Sequence, residues 1–120
     1  MAQNQHAHAI RDSYPVNEGH TLVIPHRHVP TWFDATPDEQ QAIMALVEQV
    51  KADLDAELHP AGYNIGINVG TAAGQTVMHL HVHVIPRFEG VAMNPPGGPM
   101  EKPEVLEAHA QKIRAALEAA

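Results

Sequence analysis

Three histidines two residues apart, His79, His81 and His83, lie in the run Met78-His79-Leu80-His81-Val82-His83-Val84-Ile85-Pro86. Side chains of a β-strand alternate between its faces. On a strand these imidazoles therefore form a row on one side, while Leu80, Val82 and Val84 enter the core on the other. On a helix they would scatter around the axis. The β-branched Val82, Val84 and Ile85, with Pro86 as a stop, predict the strand. Such a row has three readings. It is the solvated face of a strand, a metal site of the kind His-x-His pairs build for zinc, copper or iron, or a nucleophilic imidazole flanked by histidines that handle protons. No Asp, Glu or Cys lies close by in sequence to complete a metal shell. Spacing alone does not choose between metal and nucleophile.

Upstream, Gly70-Thr71-Ala72-Ala73-Gly74-Gln75-Thr76 is a loop of small residues that bends tightly and offers backbone N–H groups to an anion. The whole run from Asn68-Val69-Gly70 through Gly74-Gln75-Thr76-Val77-Met78-His79 to Arg87 resembles the signature of the histidine triad (HIT) nucleotide hydrolases and transferases. Gly19-His20-Thr21-Leu22-Val23-Ile24-Pro25, ahead of the basic turn His26-Arg27-His28, is similar to their second motif. The two motifs stand in the family's order, and the resemblance covers the chain from Ala9 to Gly98.

The resemblance implies hydrolysis or transfer at the α-phosphorus of a nucleoside phosphate, a phosphoramidate or a dinucleoside polyphosphate, through a covalent nucleotidyl-histidine. It implies that His81 is the nucleophile and that His83 contacts the phosphate or leaving group. His79 begins the row, and His20 completes the histidine set. By the same resemblance Gly74, Gln75 and Thr76 hold the phosphate or leaving group, Asn68 is a polar substrate contact, and Asp12 holds the ribose hydroxyls, a carboxylate being able to accept two hydrogen bonds from a diol. Without the resemblance, Asp12 reads as a turn former. An imidazole suits both halves of the reaction: with an unperturbed pKa of about 6.5 it is mostly neutral near pH 7 and leaves phosphorus readily once protonated. Its other nitrogen must donate a hydrogen bond to fix the reactive tautomer, and a backbone carbonyl in the row is the expected acceptor. The implied partner is a small purine nucleotide, with no cofactor and no metal, and the implied assembly is a homodimer with a shared sheet. Two readings of other classes stand beside this one: a metal-binding protein using the histidine row, and a nucleotide-binding regulator without turnover. The chain departs from its relatives at Val91, Pro96 and Met100, where they place an acidic residue after the Gly90 position and basic residues around the Gly-Gly pair.

Across the whole chain, 120 residues suit one domain with a real core. Seven basic against fourteen acidic residues give a net charge of −7, which argues against a nucleic-acid backbone as partner. The absence of cysteine excludes disulfides and thiol catalysis. No apolar run approaches the length of a membrane span and the polar start is not a signal peptide, so a cytoplasmic location is the default.

The expected fold is α+β: a mostly antiparallel sheet of about four or five strands with one long helix across it and a C-terminal helix over 103–120. Ala7 to Asp12 reads as a short first strand, with a shortened N-terminal side compared with many HIT proteins; His6 and His8 read as solvated residues near a terminus. His20 to Ile24 is the next strand. Thr36 caps a helix with Pro37 at its first position, and Ile43, Leu46, Val47, Val50 and Leu54 recur along it at helical spacing. After His59-Pro60-Ala61-Gly62 a third strand runs from Tyr63 to Val69. His26 and His28 are given no role.

Overall fold

Thr36 starts the long helix as the sequence predicts. Its hydroxyl accepts from the Glu39 N–H at 3.1 Å, and the Glu39 carboxylate accepts from the Thr36 N–H at 2.8 Å. Two otherwise orphaned donors are thereby satisfied reciprocally. The helix, α1, runs over Pro37–Leu58 and ends on His59, whose backbone is left-handed at φ 51°. The computed structural model describes residues 2–91 and 111. Within them the strands are β1 (Ala7–Arg11), β2 (Thr21–Pro25), β3 (Gly62–Gly66) and β4 (Val82–Arg87), with short 3-10 turns at Trp32–Asp34 and Thr71–Ala73. They form one antiparallel sheet in the order β1-β2-β4-β3, so the fold is the expected α+β arrangement of sheet and crossing helix. The C-terminal helix expected over 103–120, and the departures at Pro96 and Met100, lie outside the described residues except for Gln111. Val91 is exposed.

The buried stripe of α1 packs on Ala7 and Ala9 of β1, Val23 of β2, and Leu80, Val82 and Val84 at and before β4. Burying each large apolar side chain contributes about 1.5–3 kcal/mol, and alternation turns the intervening residues to the opposite face. On that face Ile10 stands opposite Leu22, Leu22 opposite His83, and Gly66 opposite His83 on the other flank. Leu22, Val77 and Ile10 make a second small apolar cluster there. Gly19, at φ +88°, leads the chain toward β2 beneath the end of α1, close to Leu54 and Leu58. A Cβ at Gly19 would lie 2.7 Å from Leu58 Cδ1, and the positive φ would strain any other residue there.

β1 ends at Arg11 and not at Asp12, β2 spans Thr21–Pro25 and not His20–Ile24, and β3 begins at Gly62 and not at Tyr63. Three further boundaries differ from the expectation for visible reasons. The expected strand from Met78 begins only at Val82, because Leu80 sends its N–H to the Val29 carbonyl at 2.7 Å instead of joining the ladder. The third strand consequently ends at Gly66, opposite His83, and not at Val69. Pro86 does not stop β4, which continues to Arg87. The β2 ladder has already ended at Thr21–Val84, and the Pro86 carbonyl accepts from Asn17 Nδ2 at 2.9 Å. The missing N–H thus faces a side where no strand needs it.

Candidate active site

The end of β2's approach, the start of β4 and the turn after β1 bring four predicted residues together. His81 directly precedes β4, and its Nδ1 lies 2.8 Å from the His79 carbonyl oxygen. A carbonyl only accepts, so the hydrogen of neutral His81 sits on Nδ1 and the lone pair on Nε2. That is the tautomer a nucleophilic imidazole requires. The ring of His83 stands nearly perpendicular to it, 5.1 Å between centroids and 74° between planes.

The tautomer of His83 is set from the other side. The Val16 N–H donates to His20 Nδ1 at 3.1 Å, which places the His20 hydrogen on Nε2. His20 Nε2 is 2.9 Å from His83 Nδ1 and donates to it, so His83 carries its own hydrogen on Nε2. Asp12 Oδ2 lies 3.6 Å from His20 Nε2, with both side chains fully buried. At that distance the carboxylate acts on the imidazole through its charge and not through a good hydrogen bond. Asp12 Oδ1 accepts from the Tyr14 N–H at 2.9 Å, as a turn former does. The carboxylate implied to hold a ribose is therefore turned toward His20 in this structure.

His79 parts from the row. It is 8% exposed, and its ring stands edge-on to His28, with centroids 4.6 Å apart and planes at 82°. Burial, with His28 beside it, holds its pKa below the ordinary imidazole value. His28 had no signal in the sequence, because the contact joins two segments far apart along the chain. His8 and His26 also pair, stacked at 4.9 Å with Nδ1 atoms 3.0 Å apart, so His8 is tied down where the sequence suggested solvation.

The loop before the site is organised by Gln75, which is 2% exposed. Its Oε1 accepts from the Gly70 N–H at 2.8 Å, and its Nε2 donates to the carbonyls of Pro30 at 2.7 Å and Val77 at 3.0 Å. This amide holds the loop closed; it does not face outward as the phosphate-holding role would require. The N–H groups of Ala73, Gly74 and Gln75 are likewise bonded within the loop. Gly74, at φ +93°, lies against the side chain of Asn68, with 3.6 Å between a Cβ placed there and Asn68 Nδ2. Thr76 is exposed. Among the described residues, the one cluster with metal-ligand spacing is Asp12, His20 and His83, not the row His79, His81 and His83. Both His20 nitrogens and His83 Nδ1 are engaged in the hydrogen bonds just described.

A family model described as the HIT domain matches residues 1–90. The chain belongs to the HIT family. It is 39% identical over 89 residues to an uncharacterized 16.1 kDa HIT-like protein of Mycoplasma pneumoniae, covering 74% of this chain and 62% of that relative. It is 38% identical over 93 residues to a Mycobacterium tuberculosis protein named AP-4-A phosphorylase, covering 77% of this chain and 48% of the relative. The HIT chain thus spans only part of the length of these curated relatives. Among solved structures, a Hit-like protein from Bartonella henselae superposes with a TM-score of 0.74 at 32% identity, over 96% of this chain and 83% of the other. Among the described residues, no helix of the HIT protein is long and apolar enough to cross a membrane.

Proposed function

We propose that this HIT protein is a nucleotide hydrolase or nucleotidyl transferase acting at the α-phosphorus of a nucleoside phosphoramidate or a dinucleoside polyphosphate. The observation that carries this reading is the 2.8 Å contact from His81 Nδ1 to the His79 carbonyl, which puts the lone pair on Nε2. His81 Nε2 attacks the α-phosphorus and forms the P–N bond as the bond to the leaving group breaks. His83 donates a hydrogen bond through its Nε2–H to the departing nitrogen or oxygen, which takes its proton from solvent water, so His83 stays neutral. Water then attacks phosphorus and loses its proton to solvent as the P–N bond breaks, and the nucleotide leaves with neutral His81 restored. Splitting one displacement into two lowers the barrier of each.

His20 and Asp12 serve this step from behind His83, the first by fixing its tautomer and the second by its charge. Charge on the phosphate is met by His83 and by polar groups at the loop, the Thr76 hydroxyl and the Asn68 amide. Ile10, at the edge of the Leu22–Val77 cluster on the same face, offers apolar surface to a base. A nucleotide substrate is further supported by a relative in Schizosaccharomyces pombe named bis(5'-nucleosyl)-tetraphosphatase, 45% identical over 73 residues. Release of a fluorogenic amine from its adenosine phosphoramidate tests the reading. Turnover that survives a chelator supports it. Tight nucleotide binding without turnover would instead support the regulator, and activity lost to a chelator and restored by stoichiometric metal would support a metal site.

A further inference from the structure

His79, Leu80 and His81 precede the ladder, which begins with Val23 opposite Val82. Their placement comes from the segment that follows β2. The Val29 carbonyl accepts from the Leu80 N–H at 2.7 Å, the Pro30 carbonyl accepts from Gln75 Nε2 at 2.7 Å, and the His28 ring backs the ring of His79. That segment has its own anchor. Arg27 donates through Nε and Nη2 to the two carboxylate oxygens of Glu39, at 3.0 and 2.8 Å, and through Nη2 to the Asp34 carbonyl at 3.2 Å. A two-pronged guanidinium–carboxylate contact fixes direction as well as distance, which a lysine does not do. Glu39 is 5% exposed and already accepts from the Thr36 N–H at the start of α1. An unbroken series of contacts therefore runs from the N-terminus of α1 through Arg27 to the turn of residues 26–30, on to His79, and from the His79 carbonyl to His81.

We infer that the Arg27–Glu39 pair is a positioning device for His81: it clamps the turn after β2 to the helix, and the turn holds the His79 carbonyl that selects the tautomer of His81. The hydrogen bond from Arg27 holds the Glu39 carboxyl down to about 2, so the clamp is charged throughout the range in which an imidazole works. Without it, the His28–Pro30 stretch keeps its peptide contacts but loses its fixed seat on α1. The His79 carbonyl then moves relative to the His81 ring. The catalytic consequence rests on His81 being the nucleophile; the structural consequence does not.

The test uses Arg27→Gln and Arg27→Lys in the full chain. It combines steady-state kinetics on the adenosine phosphoramidate, thermal melting, and the ¹⁵N shifts of the His81 ring without substrate. Arg27→Gln is expected to lower kcat by about tenfold to a hundredfold, as small misplacements of a reacting group do, with KM within about twofold, the pattern of a loss felt only in the transition state. The His81 ring nitrogens should shift from a single Nδ1–H form toward a mixture, and Arg27→Lys should recover part of both effects. Should Arg27→Gln not fold, Glu39→Gln, which keeps an acceptor for the Thr36 N–H, is read in the same way. A lower melting temperature with kcat and the His81 nitrogens unchanged would overturn the inference and leave the pair a helix cap only. If the wild type shows no turnover, the nucleophile assignment falls, and the ring-nitrogen comparison still decides whether Arg27 positions His81.

Discussion

The reactivity assigned to His81 is decided by a carbonyl two residues before it, and that of His83 by an imidazole on another strand's approach. The HIT resemblance implies His81 as the nucleophile, with a backbone carbonyl of the row as its expected partner, but carries no sign of the imidazole beside His83. The HIT signature places Gln75 among phosphate contacts, whereas its side chain makes three hydrogen bonds to the backbone, with Gly70, Val77 and, across to the turn after β2, Pro30. Gln75→Ala leaves the Gly70 N–H and the Pro30 and Val77 carbonyls without this partner; the Val77 contact is buried, and a buried group left unsatisfied costs about 1–3 kcal/mol. A clear fall in the urea midpoint together with reduced turnover is expected, and an unchanged midpoint would return Gln75 to the substrate. A second prediction concerns His79, whose pKa is lowered by burial and by His28. Just below the ordinary value of 6.5 the unfolded chain binds the proton that folded His79 refuses, so stability falls as the pH drops through that window. His8 is lowered in the same direction by its burial and by His26, so the comparison must isolate one residue. Between about pH 7.5 and 5.5 the urea midpoint should fall further in the wild type than in His79→Asn; equal falls would assign the effect elsewhere.

The elements with local signals were legible. Thr36-Pro37 with Glu39 starts α1 where the sequence places it, and the apolar stripe from Ile43 to Leu54 is the face that packs. The strand ends were less so, for a physical reason. Val29 captures the N–H of Leu80, and Asn17 accommodates Pro86, and both are tertiary contacts with no trace in the local pattern. Asp12 shows the same limit, since a turn-forming carboxylate and a ligand carboxylate look alike until its second oxygen is seen beside His20. His59 offers an element-scale prediction. It closes α1 at φ 51° and ψ 52°, its N–H bonding to the Asp55 carbonyl, in a conformation that glycine adopts without strain. His59→Gly should relieve about 1 kcal/mol of left-handed strain, raising the melting temperature by about 4 °C with activity unchanged. A lower melting temperature would mean that the His59 side chain contributes more than its backbone costs.

At the scale of the whole molecule, the open question in the fold is the edge of the sheet. Among the described residues, β3 lies at the end of the strand order, and Ile65 on it is 48% exposed, with Val69 just beyond at 40%. An unpaired strand edge with apolar side chains invites pairing with an equivalent edge, and a two-fold arrangement is the commonest way to satisfy it. We therefore expect a homodimer joined along β3. Light scattering at micromolar concentration should give the dimer mass for the wild type and the monomer mass for Ile65→Asp. A monomeric wild type would contradict this assembly.

In the proposed reaction phosphorus becomes bonded to His81. The direct test is a rapid quench of the enzyme during turnover of an adenosine phosphoramidate, under alkaline denaturing conditions that preserve a P–N bond, followed by fragmentation mass spectrometry of the peptide containing His79, His81 and His83. One nucleotidyl group on His81, absent from His81→Gly, is the expected result. The same group on His79 or His83, or full turnover by His81→Gly, would contradict it.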